Sequence, residues 1–286
     1  MNPKEENVAY LSDQVFYTGF GANHKFKIAE MLDSGQPNFK IQHNDKVYDS
    51  DIAVTMNFEK SKKSERYFFN SYDVILHQNG KDALVQNFKV RPWEKVQIKD
   101  ELGADKEIKV NSTLTLKEAI NFMSGRWPLK DFVKKDKQTD QLVTYKSHVS
   151  IDLNNTDKDG NHLVLMRATF NYQDKLSEIP VKELENPDSK RTLLSSLERG
   201  NRQGINISID GKDVRHFAEV DAMSKSIILY DSNMERLGVS KSKDQEVNNN
   251  LNAGKDSNQN KSEKLDEGQK KSSKSKSSRK KSGLSA

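Results

Sequence analysis

The sequence predicts an α+β fold, short helices packed on antiparallel β-hairpins, followed by a disordered basic C-terminal tail. Three observations lead there. Helix start and stop signals recur throughout the chain ahead of Val239, and the runs between them alternate Val, Ile, Thr, Phe and Tyr with polar residues at strand period. Three X-Gly pairs, Asn79-Gly80, Asp159-Gly160 and Asp210-Gly211, fall between such runs, where two-residue hairpin turns belong. After Val239 the only apolar side chains are Val247, Leu251, Ala253, Leu265, Leu284 and Ala286, too few to offset the entropy of ordering that segment.

Taken in order, residues 1–14 form an N-terminal extension and 15–110 a first helix-hairpin unit. Asn23 caps a helix that runs to about Ser34, with Phe26, Ile28, Ala29 and Leu32 toward the core and Gly35 just past its end. Residues 111–238 form a second helix-hairpin region. Its first helix opens at Thr115, where Glu118 completes a T-x-x-E capping box, carries Leu116, Ala119, Ile120 and Met123, and stops at Gly125. A third helix has Asn186 as cap, Pro187 at its first position, Leu193, Leu194 and Leu197 as its stripe and Gly200 as its stop, so a further unit can begin at about residue 186. Leu32-Asp33-Ser34-Gly35 ahead of Phe39-Lys40 is echoed by Phe122-Met123-Ser124-Gly125 ahead of Leu129-Lys130. Val54 to Phe58 is echoed by Val149 to Leu153, and Phe68-Phe69 by Leu163-Val164. Diverged helix-glycine-hairpin repeats are one reading of these echoes; chance recurrence of a common strand pattern is the other.

Charge is segregated. The segment from Val239 to Ala286 holds 12 basic and 6 acidic residues, leaving 35 basic against 36 acidic in the body, so the net charge of +5 resides in the tail. Within it, Lys270, Lys271, Lys274, Lys276, Arg279, Lys280 and Lys281 occur among serines with no acid between them. Such a solvated run of like charge is suited to DNA or RNA phosphates, and a solubilising tail is its bland counterpart. Cysteine is absent, which excludes disulfides and thiolate metal sites. The N-terminus lacks the profile of a signal peptide and no uncharged apolar run reaches membrane-spanning length, so a cytoplasmic chain with no membrane partner is expected.

Candidate chemistry is sparse, and no catalytic residue, metal site or cofactor is expected. His24, His43, His77, His148, His162 and His216 show no metal-ligand spacing. Gly19-Phe20-Gly21 begins like a dinucleotide fingerprint but has His24 at its sixth position. Asn155 to Gly160 imitates a calcium loop but has Met166 where a bidentate Glu is required. Asp82, Glu107 and Lys109 compose a D…E-x-K triplet of the kind that holds Mg²⁺ in nucleases, a pattern that arises freely in a chain with 31% charged residues. The basic loop Lys60 to Arg66 precedes the aromatic run Tyr67 to Tyr72, in which strand parity sets Phe68 and Tyr72 on one face and Tyr67 and Phe69 on the other. Arg126 and Trp127, just past a helix end, fit capping and packing better than binding.

Several runs carry a resemblance: Tyr17-Thr18-Gly19-Phe20-Gly21, Ser34-Gly35-Gln36-Pro37, Tyr67 to Asp73, Ser124-Gly125-Arg126, Pro180 to Pro187, and Ser196-Leu197-Glu198-Arg199-Gly200-Asn201. In this order, from about Val15 to Leu237, they resemble an uncharacterised Bacteroidetes family, a domain of unknown function carried on conjugative transposons and related mobile elements. Trp127 stands where that family has a small residue. The resemblance supplies no catalytic residues; it implies an accessory protein of a mobile element in the company of DNA-processing proteins. The expectation is a non-enzymatic accessory protein whose body binds an unidentified protein partner and whose tail holds nucleic acid without sequence preference. The alternatives are a metal-dependent nuclease and a pure protein-interaction scaffold.

Overall fold

The computed structural model describes residues 2–237 except 48–49, 78–79, 81, 100–103, 139 and 141; the seven tail cations Lys270 to Lys281, and the disordered tail expected from 239, lie outside the described residues. Within the N-terminal extension, residues from Pro3 onward are helical. Helix α1, Pro3–Val15, is closed by a capping box in which Asn2 Oδ1 accepts the Glu5 N–H (2.8 Å) and the Glu5 carboxylate accepts the Asn2 N–H (3.1 Å). It feeds Val8, Leu11 and Val15 into the larger core and ends in a π-helical turn, Phe16–Phe20, where Gly19 turns the chain at a φ of +98°.

Three times thereafter a helix ends at a positive-φ glycine and leads into an antiparallel meander. Helix α2, Lys25–Asp33, and Gly35 precede β1 (Asn38–Val47), β2 (Ser50–Lys60), β3 (Tyr67–His77) and β4 (Leu84–Lys89), which pair in chain order. A separate two-stranded hairpin follows, β5 (Glu94–Lys99) and β6 (Asp105–Val110). Helix α3, Leu116–Met123, and Gly125 precede β7 (Leu129–Lys135), β8 (Leu142–Thr156) and β9 (His162–Ala168). Short helix α4, Tyr172–Ser177, bridges to α5, Pro187–Glu198, whose stop at Gly200 opens β10 (Gln203–Ile209), β11 (Lys212–Asp221) and β12 (Ser226–Tyr230). The fold is thus mixed α+β with antiparallel sheets, and the echoed sequence segments occupy matching places: Val54 to Phe58 lies in the second strand of one meander and Val149 to Leu153 in the second strand of the next.

Two hydrophobic cores result. The larger packs α1, α2 and α3 on the inner face of the four-stranded sheet, with a row of rings running Phe39, Phe58, Phe69 at centroid spacings of 4.6 and 5.0 Å. The smaller collects Tyr172, Leu176, Val181, Leu193 and Leu197 over Ile205, Ile207, Ala218 and Val220. Each such ring or aliphatic side chain contributes about 1.5–3 kcal/mol by leaving water. Strand β8 lies between the two: Val149 and Ile151 belong to the larger core, while neighbouring His148 reaches Tyr172 of the smaller, and residues 147–151 are buried without interruption.

Several local expectations are corrected. Asn23 does not cap α2; His24 holds that position without a side-chain cap, and Phe26 is 83% exposed. The buried stripe is Ile28 and Leu32, four residues apart, and Phe26 stands two residues from Ile28, on the opposite side of the helix. In β3, Tyr67, Phe69 and Tyr72 all point inward and Phe68 outward, because a bulge opposite Asn57 and Phe58 leaves Asn70 unpaired and reverses the parity. Asp210-Gly211 does form a two-residue turn with both φ positive, whereas Asp159-Gly160 sits in a five-residue loop closed by the Asp157 carboxylate, which accepts the N–H groups of Asp159 and Asn161. Asn79 lies outside the described residues. Among the described residues no helix is long and apolar enough to cross a membrane.

Candidate functional site

Several buried polar groups of the body bond to one another. His148 Nδ1 donates to the Trp127 carbonyl (2.8 Å), which fixes the neutral tautomer and leaves Nε2 to accept from the Tyr172 hydroxyl (2.9 Å). Burial holds the His148 pKa down against the opposing pull of that carbonyl, and burial raises that of Tyr172. Beside them the ends of α3 and α5 meet: the Asn121 amide donates to the Arg199 carbonyl and to Asn201 Oδ1, both at 2.8 Å, and Asn201 donates to Ser196. Trp127 is buried in this junction, as packing requires. His24 Nε2 and His43 Nδ1 also meet, at 3.2 Å; burial and the charge of His43 lower the His24 pKa. Among the described residues no three His, Cys, Asp or Glu gather as a metal site.

The residues of the nuclease triplet lie on β6 and in the connection ahead of β4. Glu107 is engaged on its hairpin by Lys95 (3.0 Å) and by the Gln97 amide (3.5 Å), Lys109 lies on the same face beside Trp93, and Asp82 is exposed in the connection between β3 and β4. In the basic loop, Lys60 is paired with Glu65, whose hydrogen bond raises the lysine pKa, and Arg66 lies 5.5 Å from the Tyr10 ring centroid. Lys62 and Lys63 stay exposed. The aromatic run behind them is core, except for Phe68.

The surface with the strongest chemical character is a sheet edge. Most edges of this molecule are covered or charged, as edge strands must be to stay unpaired. Beyond β10, Pro180 accepts the Ser208 N–H (3.1 Å), Val181 bridges Ile207 and the Glu183 carboxylate takes the Asn206 N–H (3.0 Å), so the run Pro180 to Glu183 closes that edge. Residues 236–237 fold back on β12. Strand β1 carries Lys40, Asp45 and Lys46, and β7 carries Lys130, Asp131, Lys134 and Lys135.

Strand β9 carries a single full charge, Arg167 near its end, whose guanidinium donates to the Met166 carbonyl (2.8 Å). Between His162 and Arg167 it reads Leu163-Val164-Leu165-Met166, and Leu163, Val164 and Met166 are 45%, 53% and 40% exposed. Its start is tied to β4, where His162 exchanges hydrogen bonds with the Gln86 amide (2.9 and 3.3 Å), and its inner side pairs with β8; beyond residue 162 its outer side has no strand partner among the described residues. The sequence echo of Phe68-Phe69 by Leu163-Val164 sets β9 in the place of β3. Strand β3 is covered by β4, and among the described residues the second meander has no fourth strand. The four-residue apolar run was visible in the sequence; its position at an edge was not, because that depends on which strand follows. Comparisons with protein families, with characterised proteins and with solved structures found no match to this chain.

Proposed function

We propose that this chain is a non-enzymatic accessory protein that joins a protein partner, added as an extended strand at β9, to nucleic acid held by the basic tail. The observation that carries the reading is charge segregation: a body of 35 basic and 36 acidic residues has no net call for a polyanion, while seven cations crowd into residues 270–281. Backbone phosphates satisfy such a run without any fixed structure, and serines between the lysines cannot read base edges, so binding without sequence preference follows. For the body, support comes from an edge strand whose central run, Leu163 to Met166, is uncharged and has no strand partner on its outer side among the described residues, the kind of surface used in strand addition. A cytoplasmic setting on a bacterial mobile element, in the company of DNA-processing proteins, accords with this reading and is part of the proposal. The nuclease alternative has less support, since Glu107 is paired with Lys95 and Lys109 lines an open cleft with Trp93.

The test is affinity recovery of the tagged full chain from its native host, with and without nuclease treatment, beside Val164→Lys/Met166→Lys. One protein retained after nuclease treatment and lost in the edge variant, with nucleic acid recovered equally by both, is the expected result. Recovery of the same protein by both chains contradicts the β9 assignment.

A further inference from the structure

The β5–β6 hairpin stands outside the three helix-glycine-meander units, and its outer face has a composition of its own. Trp93 is 64% exposed, and with Lys95 and Lys109 it lines an open cleft of about 450 Å³. The two lysines are direct cross-strand partners. Like charges so placed repel across about 5 Å of Cβ separation, a pairing that weakens a hairpin unless something offsets it. Glu107 pairs with one of them, at 3.0 Å from Lys95, and Lys109 forms no ion pair among the described residues. The base of the hairpin is held in place, the Asn111 amide donating to the Arg91 carbonyl (3.0 Å) and the Arg91 N–H to Thr113 (2.8 Å), so the indole is presented by ordered backbone.

From this geometry we infer that the outer face of the β5–β6 hairpin is a second nucleic-acid contact, selective for unpaired strands: Trp93 stacks on a base while Lys109, with Lys95, holds the adjoining phosphates. The inference rests on the nucleic-acid reading above and adds to it a site on the body. Charge alone admits an acidic peptide or an anionic lipid surface; the exposed indole beside the cations favours a ligand that offers an aromatic face and phosphate together. In a duplex the bases are stacked on one another and withheld from the indole, whereas an unpaired strand leaves them free. The basic loop at Lys60 to Arg66 is the weaker candidate, because its neighbouring rings other than Phe68 are buried and two of its cations are engaged.

The chain has two tryptophans, and Trp127 is buried, so a contact at Trp93 is directly readable by emission. Titrating the full chain with oligothymidylate should quench the emission component that Trp93→Phe removes. Trp93→Ala should weaken single-strand affinity by about fivefold or more, the lower end of a base-stacking contribution. Lys109→Gln should weaken it less and flatten the salt dependence by about 0.7 in log–log slope. Absence of Trp93 quenching with unchanged affinity in both variants overturns the inference, as does equal quenching by duplex DNA, polyglutamate or anionic vesicles. A chain with all seven tail cations replaced by Gln separates the two readings. If that chain loses the bulk of its salt-dependent binding while the hairpin variants change nothing, the tail reading stands and the hairpin fails; if it still shows Trp93 quenching by oligothymidylate alone, the hairpin site stands by itself.

Discussion

His148 shows how a residue that invites a catalytic reading is committed to architecture. It is fully enclosed, donates to a backbone carbonyl and accepts from a hydroxyl, so neither nitrogen is left for a substrate. Tyr172→Phe removes one donor and strands the buried Nε2, which should cost about 1–3 kcal/mol in urea unfolding. The same burial makes a pH prediction. His148 and His24 both have folded pKa values below the ordinary 6.5, so between those lowered values and 6.5 the unfolded chain binds more protons than the folded one. Stability should therefore be level in this respect above pH 6.5 and fall as the pH drops through that window. Urea midpoints at about pH 7.5 and 5.5 read the effect, and His148→Gln should reduce the difference between them. Sequence spacing gives no hint of either histidine's partner, because His24 meets His43 and His148 meets Tyr172 only after strands and helices have packed.

At the scale of elements, helix ends govern how the units join. Both α3 and α5 end in the same motif, with the glycine N–H bonded three residues back and the next N–H five residues back (Gly125 to Phe122, Arg126 to Asn121; Gly200 to Leu197, Asn201 to Ser196). Their glycines differ in surroundings. A Cβ on Gly125 enters open space, whereas one on Gly200 falls 2.8 Å from the Pro128 backbone nitrogen. Gly125→Ala should cost about 1–2 kcal/mol for its left-handed conformation alone, and Gly200→Ala clearly more, with the two compared by thermal unfolding. These stops were legible in the sequence, as was the Thr115 capping box, since caps are set by residues in direct succession. The Asn2-Pro3 start of α1, with Glu5 in place, carried the same kind of signal. The Asn70 bulge was not legible: which residue of a strand is left unpaired is decided by the core the strand faces, and here inward placement of both Phe69 and Tyr72 requires the shift.

Across the whole molecule, one architectural phrase recurs, with the β5–β6 hairpin set between its first and second occurrences. The first meander completes itself with β4, the third folds residues 236–237 over β12, and the second presents β9 uncovered. The glycine stops and echoed strands are legible in the sequence, but it cannot show that the second meander has no fourth strand among the described residues or that Trp93 is exposed. Charge is a different matter, because it is read by counting: a near-neutral body and a cationic run at residues 270–281 are what the proposed division of labour rests on. The central claim is that this run holds nucleic acid through phosphates, and the most direct measurement is duplex DNA affinity at two or more salt concentrations for the full chain and for the chain with Lys270, Lys271, Lys274, Lys276, Arg279, Lys280 and Lys281 replaced by Gln. The wild-type chain should bind with a log–log salt slope reaching about −6, unrelated competitor DNA displacing it equally, and the replaced chain should lose most of that slope and affinity; equal affinity and equal slope in the two chains would contradict the claim.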